Sequence, residues 1–273
     1  MLNLNVNTIQ SIRNNIQRGD GLIEFEAELL VIGAGGGTTD LGGGGAGGFI
    51  SSSWFVPPVT TFDVVIGAPL TAGSRSESTK LVYNTSSVVA FEAVGGGISN
   101  QNDGGSGAGG YLGFGETISS TIPPRAELAA PTGSNGGRSQ IEFGGAGGGG
   151  GATEAGRDRT SNVSGGQGGA GKAITETFVN GLVAGVLGFA NGGDGRPQAH
   201  TGAGTAGTPN SGNGADGSES GFSALGGSGL FAIKYAGLPK ASGGTITQSG
   251  GYTTHVFTGS AEFITTGKSN NNP

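Results

Sequence analysis

Cysteine is absent from this chain of 273 residues, so neither a disulfide framework nor a thiolate metal site is available to it. Charge is scarce as well. Only 12% of the residues are Asp, Glu, Lys or Arg, and the net charge is −6. The few Lys and Arg are scattered singly, and with a pI near 4.9 this argues against a protein that tracks nucleic-acid phosphates. Long apolar runs are missing too: no stretch approaches the roughly 18 residues that would suggest a membrane span. The opening "MLNLNVNTIQSIRNNIQRG" has no basic start, apolar centre and small-residue cleavage site, so the expectation is a soluble chain made in the cytosol without a secretory signal.

Conventional site chemistry is equally thin. There are two histidines, His255 alternating within "YTTHVF" and His200 in the loop "RPQAHTGAG", and without cysteine they make no zinc site. The acidic pairs Glu154 with Asp158 and Asp216 with Glu219 sit in Gly/Ser stretches, where nothing fixes two carboxylates across a cleft as a glycosidase requires. No catalytic residue, metal or cofactor is therefore expected.

What the chain has in excess is glycine, 63 residues or about 23%, against a usual value near 7%. Ten fall in 33 to 48, ten in 95 to 115, thirteen in 144 to 171 and thirteen in 192 to 229. The spacing is irregular, which excludes the strict G-X-Y repeat of collagen. "LLVIGAGGGT" opens like a dinucleotide-binding turn, but the third glycine is replaced by Thr38 and "TTDLGGGGAGG" cannot supply the helix N-terminus on which a pyrophosphate rests. "TTGKS" at 265 to 269 imitates the end of a P-loop with Glu262 in place of its first glycine, and no helix follows.

Disorder would explain the blocks, since each glycine loses much backbone entropy on folding. It does not explain their punctuation by Leu41, Phe49, Tyr111, Leu112, Phe114, Phe189, Phe222 and Leu225, where a flexible linker carries polar residues. A packed alternative fits both features. Glycine runs adopt the threefold polyproline-II conformation, whose N–H and C=O groups point outward and must find partners on neighbouring helices. Close lateral contact then admits only glycine.

Strand signals bracket these blocks. From Leu22, Ile23, Phe25, Ala27, Leu29 and Val31 alternate with Glu24, Glu26 and Glu28, a half-buried strand with a solvated acidic face. "FDVVIG" (62 to 67), "KLVYN" and "VVAFEAVG" across "NTSS" (80 to 95), "AITETF" (173 to 178), "LFAIKY" (230 to 235), "GTITQ", "YTTHVF" and "AEFITT" follow. Trp54, Phe55, Pro57 and Pro58 are expected to pack over a sheet end, with an exposed Trp-Phe anchor for a partner as the alternative. At the N-terminus Ile9, Ile12 and Ile16 recur at helical spacing behind an Asn7 or Thr8 cap, predicting a short helix that either lids the domain or anchors it to a partner.

With these residues in view, the chain resembles the glycine-rich domain family of tailed-phage virion proteins. The resemblance rests on "LLVIGAGGG" (29 to 37), "GGGGAGGF" (42 to 49), "VVIGAP" (64 to 69), "FGGAGGGGGAT" (143 to 153), "GGQGGAGKA" (165 to 173) and "GGSGLFAIKY" (226 to 235). In that family a "GGYTTHVFTGSAEF" type of segment commonly precedes the first glycine strand, whereas here it comes last. The resemblance implies an all-β fold: a β-sandwich framework with packed polyglycine-II helices, used in virion fibres and receptor-binding tips.

The resulting expectation has three parts: an N-terminal attachment segment at 1 to 21, a glycine-rich β/polyglycine domain at 22 to 238 and a C-terminal β element at 239 to 273. The function expected is that of a non-enzymatic virion protein, a tail-fibre or tail-tip adhesin, with capsid decoration as the alternative and a polysaccharide depolymerase behind both. Recognition is assigned to polar loops carrying Asn102, Asp103, Arg157, Asp158, Arg159, Asp194, Arg196, His200, Asn210 and Asn213, a mixture suited to hydrogen bonding with sugars or protein loops. Ile9, Ile12 and Ile16 are assigned to attachment. The partners expected are other virion proteins, a bacterial surface receptor (glycan or outer-membrane protein) and sister copies, with no nucleic acid.

Overall fold

The computed structural model describes residues 24–72, 75–99, 104–110, 133–139, 145–161, 163–174, 188–197 and 199–266. The expected N-terminal helix with Ile9, Ile12 and Ile16, the loop residues Asn102 and Asp103, and most of the strand expected at 173 to 178 lie outside them.

Among the described residues ten strands form two antiparallel five-stranded sheets. They are β1 (Phe25–Ile32), β2 (Phe49–Val56), β3 (Thr61–Val65), β4 (Thr79–Tyr83), β5 (Val89–Ala93), β6 (Leu230–Ala236), β7 (Ala241–Ser242), β8 (Thr245–Ser249), β9 (Tyr252–Phe257) and β10 (Ala261–Thr265). One sheet has the order β2-β1-β6-β9-β8 and the other β5-β4-β3-β10-β7. The described residues contain no helix, and the protein is all-β with a sandwich at its base.

The period-two pattern of β1 decides how the layers meet. Phe25, Ala27, Leu29 and Val31 point between the sheets, where they join Phe62, Val64, Leu81, Phe91, Phe231, Ile233, Phe257 and Phe263 in one core. Each large side chain so buried contributes roughly 1.5–3 kcal/mol. The opposite face of β1 starts polar and ends apolar. Glu26 and Glu28 are exposed, with Glu28 reaching Lys234 of the paired strand at 3.7 Å. Leu30 and Ile32 instead enter a second core with Phe49, Phe189, Ala190, Leu230 and Val256.

Strand β2 was not foreseen. Its "FISSSWFV" places three serines in mid-strand, yet it pairs with β1 along its whole length, from Phe25 opposite Val56 to Ile32 opposite Phe49. Trp54 lies on it, half-buried, with its ring edge-on to Phe62 and Phe91 at 5.4 and 5.3 Å. The C-terminal strands join both layers: β9 pairs with β6, and β10 with β3 of the same chain.

The glycine blocks form an ordered bundle of threefold helices stacked on the second core. Segment 42–48 shows its logic. The N–H groups of Gly43 and Ala46 go to the carbonyls of Gly147 and Gly150, those of Gly44 and Gly47 to Ala215 and Gly212, and those of Gly45 and Gly48 to Gly97 and Val94. Donors three residues apart thus address the same neighbour, which is the repeat of a polyglycine-II helix. The carbonyls behave alike: Gly45 and Gly48 accept from Gly36 and Gly33, Gly43 and Ala46 from Gly109 and Ser106, and Leu41 and Gly44 from Arg196 and Gly193. This segment is held on six sides.

Segment 146–151 repeats the arrangement. Ala146 and Gly149 donate to Arg196 and Gly193, Gly147 and Gly150 to Gly110 and Gly107, and Gly148 and Gly151 to Arg157 and Glu154. No side chain intervenes at these contacts, because a Cβ added to Gly44 would collide with the carbonyl of Gly36, and one on Gly149 with that of Gly44. Methyl groups fit only where gaps between helices allow, and Ala34, Ala46, Ala108, Ala146 and Ala215 fill such gaps without any exposure.

Candidate recognition surface at the tip of the bundle

Chain direction separates two ends of the molecule. Strand β1 runs toward the bundle and β10 away from it, since Ala261 lies opposite Val64 and Ile264 opposite Thr61 on β3. Glu24 and Thr266 therefore leave the sandwich at the same end, here called the base. Segments 33–38, 154–159, 190–196 and 211–218 run outward, and 42–48, 145–151, 165–171 and 224–229 return, as the falling or rising partner numbers along each pair require. The turns at 38–42, 159–165, 196–202 and 218–224 consequently gather at the far end, the tip.

These turns are tied to the bundle beneath them. Thr38 Oγ1 donates to the Asp216 carbonyl at 2.8 Å and accepts from Ser218 Oγ at 3.1 Å, while Ser218 Oγ accepts the Gly204 N–H at 2.9 Å. Thr38 and Ser218 are completely buried. The Asp40 carboxylate accepts the Gly42 N–H at 2.9 Å, and the Glu219 carboxylate the Gly202 N–H at 2.8 Å. A buried, satisfied network of this kind holds the surface above it in one arrangement.

Four of the expected recognition residues meet at the tip and remain accessible: Arg157 and Asp158 are exposed, and Arg196 and His200 are half-buried. Arg159 lies beside them but departs from the expectation of a projecting side chain, because it is fully buried and its Nε donates to the Ser161 carbonyl at 2.5 Å. Arg196 is tied by Nη2 to Asp216 at 2.6 Å. Asn210 is elsewhere. It occupies a turn on the sandwich side of the bundle, in the left-handed region at φ 58°, with its amide oxygen accepting from Ser228 Oγ at 3.0 Å.

Asp194 and Asn213 have a structural occupation. At the rim of the bundle a helix lacks one neighbour, and an Asx side chain takes the place of the missing carbonyl. Asp194 Oδ1 accepts the Gly168 N–H at 2.7 Å and Asn191 Oδ1 the Gly171 N–H at 2.8 Å. One helix further on, Asp216 Oδ1 accepts the Asp194 N–H and Asn213 Oδ1 the Asn191 N–H, each at 2.9 Å. The pairs 191/194 and 213/216 are three residues apart, one turn of the threefold helix.

Two apolar tip residues escaped the sequence reading of the loops: Val163 is 85% exposed and Phe222 50%. Val163 is a lone apolar residue inside "TSNVSGG", which is the only signal that marked it. A cavity of about 470 Å³ elsewhere, beside the outer face of β1 and β2, is lined by Glu28, Phe49, Ser51, Ser53, Lys172 and Ile174. Among the described residues no three His, Asp or Glu side chains gather as metal ligands would.

The sequence matches the glycine-rich domain family over residues 24–236, from the first residue before β1 to the last residue of β6. The chain belongs to the glycine-rich domain family. In this glycine-rich domain the matched span covers β1 to β6 together with the described glycine helices, whereas β7 to β10 follow it. No curated protein and no solved structure matches the chain.

Proposed function

We propose that this protein is a non-enzymatic virion component of a tailed bacteriophage, an adhesin whose base is attached to the particle and whose tip turns contact the bacterial surface. The observation that carries the reading is the separation of ends. Both described chain ends leave from the base, and a bundle fastened by backbone hydrogen bonds presents its turns on the other side. Loops on a rigid scaffold vary and bind without disturbing the frame beneath.

The base supports attachment. Val59 and Leu238 are 62% and 72% exposed there, beside the points where residues 1–23 and 267–273 begin. Val59 also has φ 48°, a costly conformation for a β-branched side chain that gains no burial within the chain. Sister copies and other virion proteins are the partners suited to such a surface. The tip, with Arg157, Asp158, His200, Val163 and Phe222 accessible, suits a glycan or an outer-membrane protein.

The test compares binding to intact bacteria with binding to purified capsids. Serine at Arg157, Val163, His200 and Phe222 together is expected to leave the circular-dichroism spectrum and melting unchanged while removing attachment to cells. Parent protein that saturates capsids and ignores cells would replace the adhesin by a capsid-decoration protein.

A further inference from the structure

Among the described residues, four buried side-chain nitrogens have no hydrogen-bond partner: Nη1 and Nη2 of Arg159, Nε of Arg196 and Nε2 of His200. The residues that carry them come together at one corner of the tip. Gly145 lies against both the Arg159 guanidinium and the Arg196 carbonyl. It forms a bridge with Pro197, whose carbonyl accepts the His200 N–H at 3.0 Å. Among the described residues no buried side-chain oxygen is left unpaired, so the imbalance is one of nitrogens without acceptors.

A guanidinium withdrawn from water without a counter-charge is costly and calls for an occupant. Arg159 has no exposed surface, yet it lies near the periphery of the molecule, where loss of solvation lowers its pKa without neutralising it. Among the described residues, the carboxylates of the tip are committed to backbone donors: Asp158 to Arg138, Asp194 to Gly168, Asp216 to Asp194, Glu219 to Gly202 and Asp40 to Gly42. Arg159 Nε is likewise used, by Ser161. The Nη1/Nη2 edge of the fork is what remains, and that edge matches a carboxylate or phosphate bidentately. Gly145 makes its room: at φ 134° a side chain is already disfavoured, and a Cβ there would occupy the place of Nη1.

We infer that this corner is an oxyanion-binding site, in which Nη1 and Nη2 of Arg159 hold a carboxylate or phosphate group and His200 Nε2 supplies a further donor. The inference rests on the tip being the recognition end and narrows its ligand to an acidic group, such as the carboxylate or phosphate of a surface glycan.

Inorganic phosphate is the probe, titrated against the full chain at constant ionic strength with chloride as the balancing anion. Calorimetry and thermal unfolding are expected to show saturable binding and a rise in melting temperature. Arg159→Met should abolish the response without lowering the melting point measured in chloride, because that variant buries no unpaired charge. Arg159→Lys, which keeps charge but loses the fork, should bind about tenfold more weakly. If Arg159→Met fails to fold, a several-fold weakening in His200→Ala carries the test. Absence of a phosphate response in the parent, or an undiminished response in the folded variants, overturns the site. Phosphate binding without attachment to cells keeps the site and removes the recognition reading; attachment to cells without phosphate binding does the reverse.

Discussion

The Asp194 carboxylate accepts the N–H of Gly168 at 2.7 Å, and in doing so it stands where a further glycine helix would have placed a carbonyl. Asp194→Ala leaves that N–H without its protein partner at the rim of the bundle. The expected loss is about 1–2 kcal/mol, with Asp194→Asn retaining most of the stability because its amide oxygen still accepts. Urea denaturation of the two variants checks this, and their attachment to cells should be unaffected.

The interior of the bundle tolerates far less. Gly44→Val drives a branched side chain into the carbonyl of Gly36, between backbones that have no slack. A loss above about 4 kcal/mol, or failure to fold, is expected. Val163→Ser, at an 85% exposed position, should change stability by less than about 0.5 kcal/mol. Comparable melting of the two variants would mean that the glycine contacts are not close-packed.

Acid should weaken the sandwich through His255. Its Nδ1–H donates to the Gly243 carbonyl at 2.8 Å, which leaves Nε2 to accept the Tyr235 hydroxyl at 2.8 Å; that oxygen in turn accepts the Lys240 N–H at 3.0 Å. Burial lowers the imidazole pKa below its ordinary 6.5. The native state therefore binds this proton more weakly than the unfolded chain does. The group's contribution is complete above about pH 6.5 and is lost as pH falls from there through the folded pKa. Melting followed between neutral and mildly acidic pH should decline in the parent. In His255→Phe it should start lower, for want of the two hydrogen bonds, and decline less.

Much of the sandwich was legible because its strands obey a period of two. The alternation in β1, the "NTSS" turn joining β4 to β5, and the β-branched runs of β6, β8, β9 and β10 each carry their own signal. β2 does not: Ser51, Ser52 and Ser53 interrupt it, and its place is fixed by β1 across the sheet. Which glycine helix neighbours which is invisible in the sequence, because the contacts are made by backbone and leave no side-chain pattern. The one trace is the three-residue spacing of Asn191 with Asp194 and of Asn213 with Asp216. Polar residues in glycine loops suggest recognition, and here they serve as lateral caps. Arg159 was legible as a charged loop residue but not as a buried one, since its burial depends on how the tip turns fold together.

The glycine blocks are a hydrogen-bonded solid and not a tether. Amide hydrogen exchange resolved by residue tests it most directly. The account predicts that Gly43 to Gly48 and Ala146 to Gly151, whose N–H groups all donate to neighbouring helices, exchange as slowly as the strand amides of Leu29 to Val31. Exchange of those glycine amides within seconds, alongside protected strands, would contradict it.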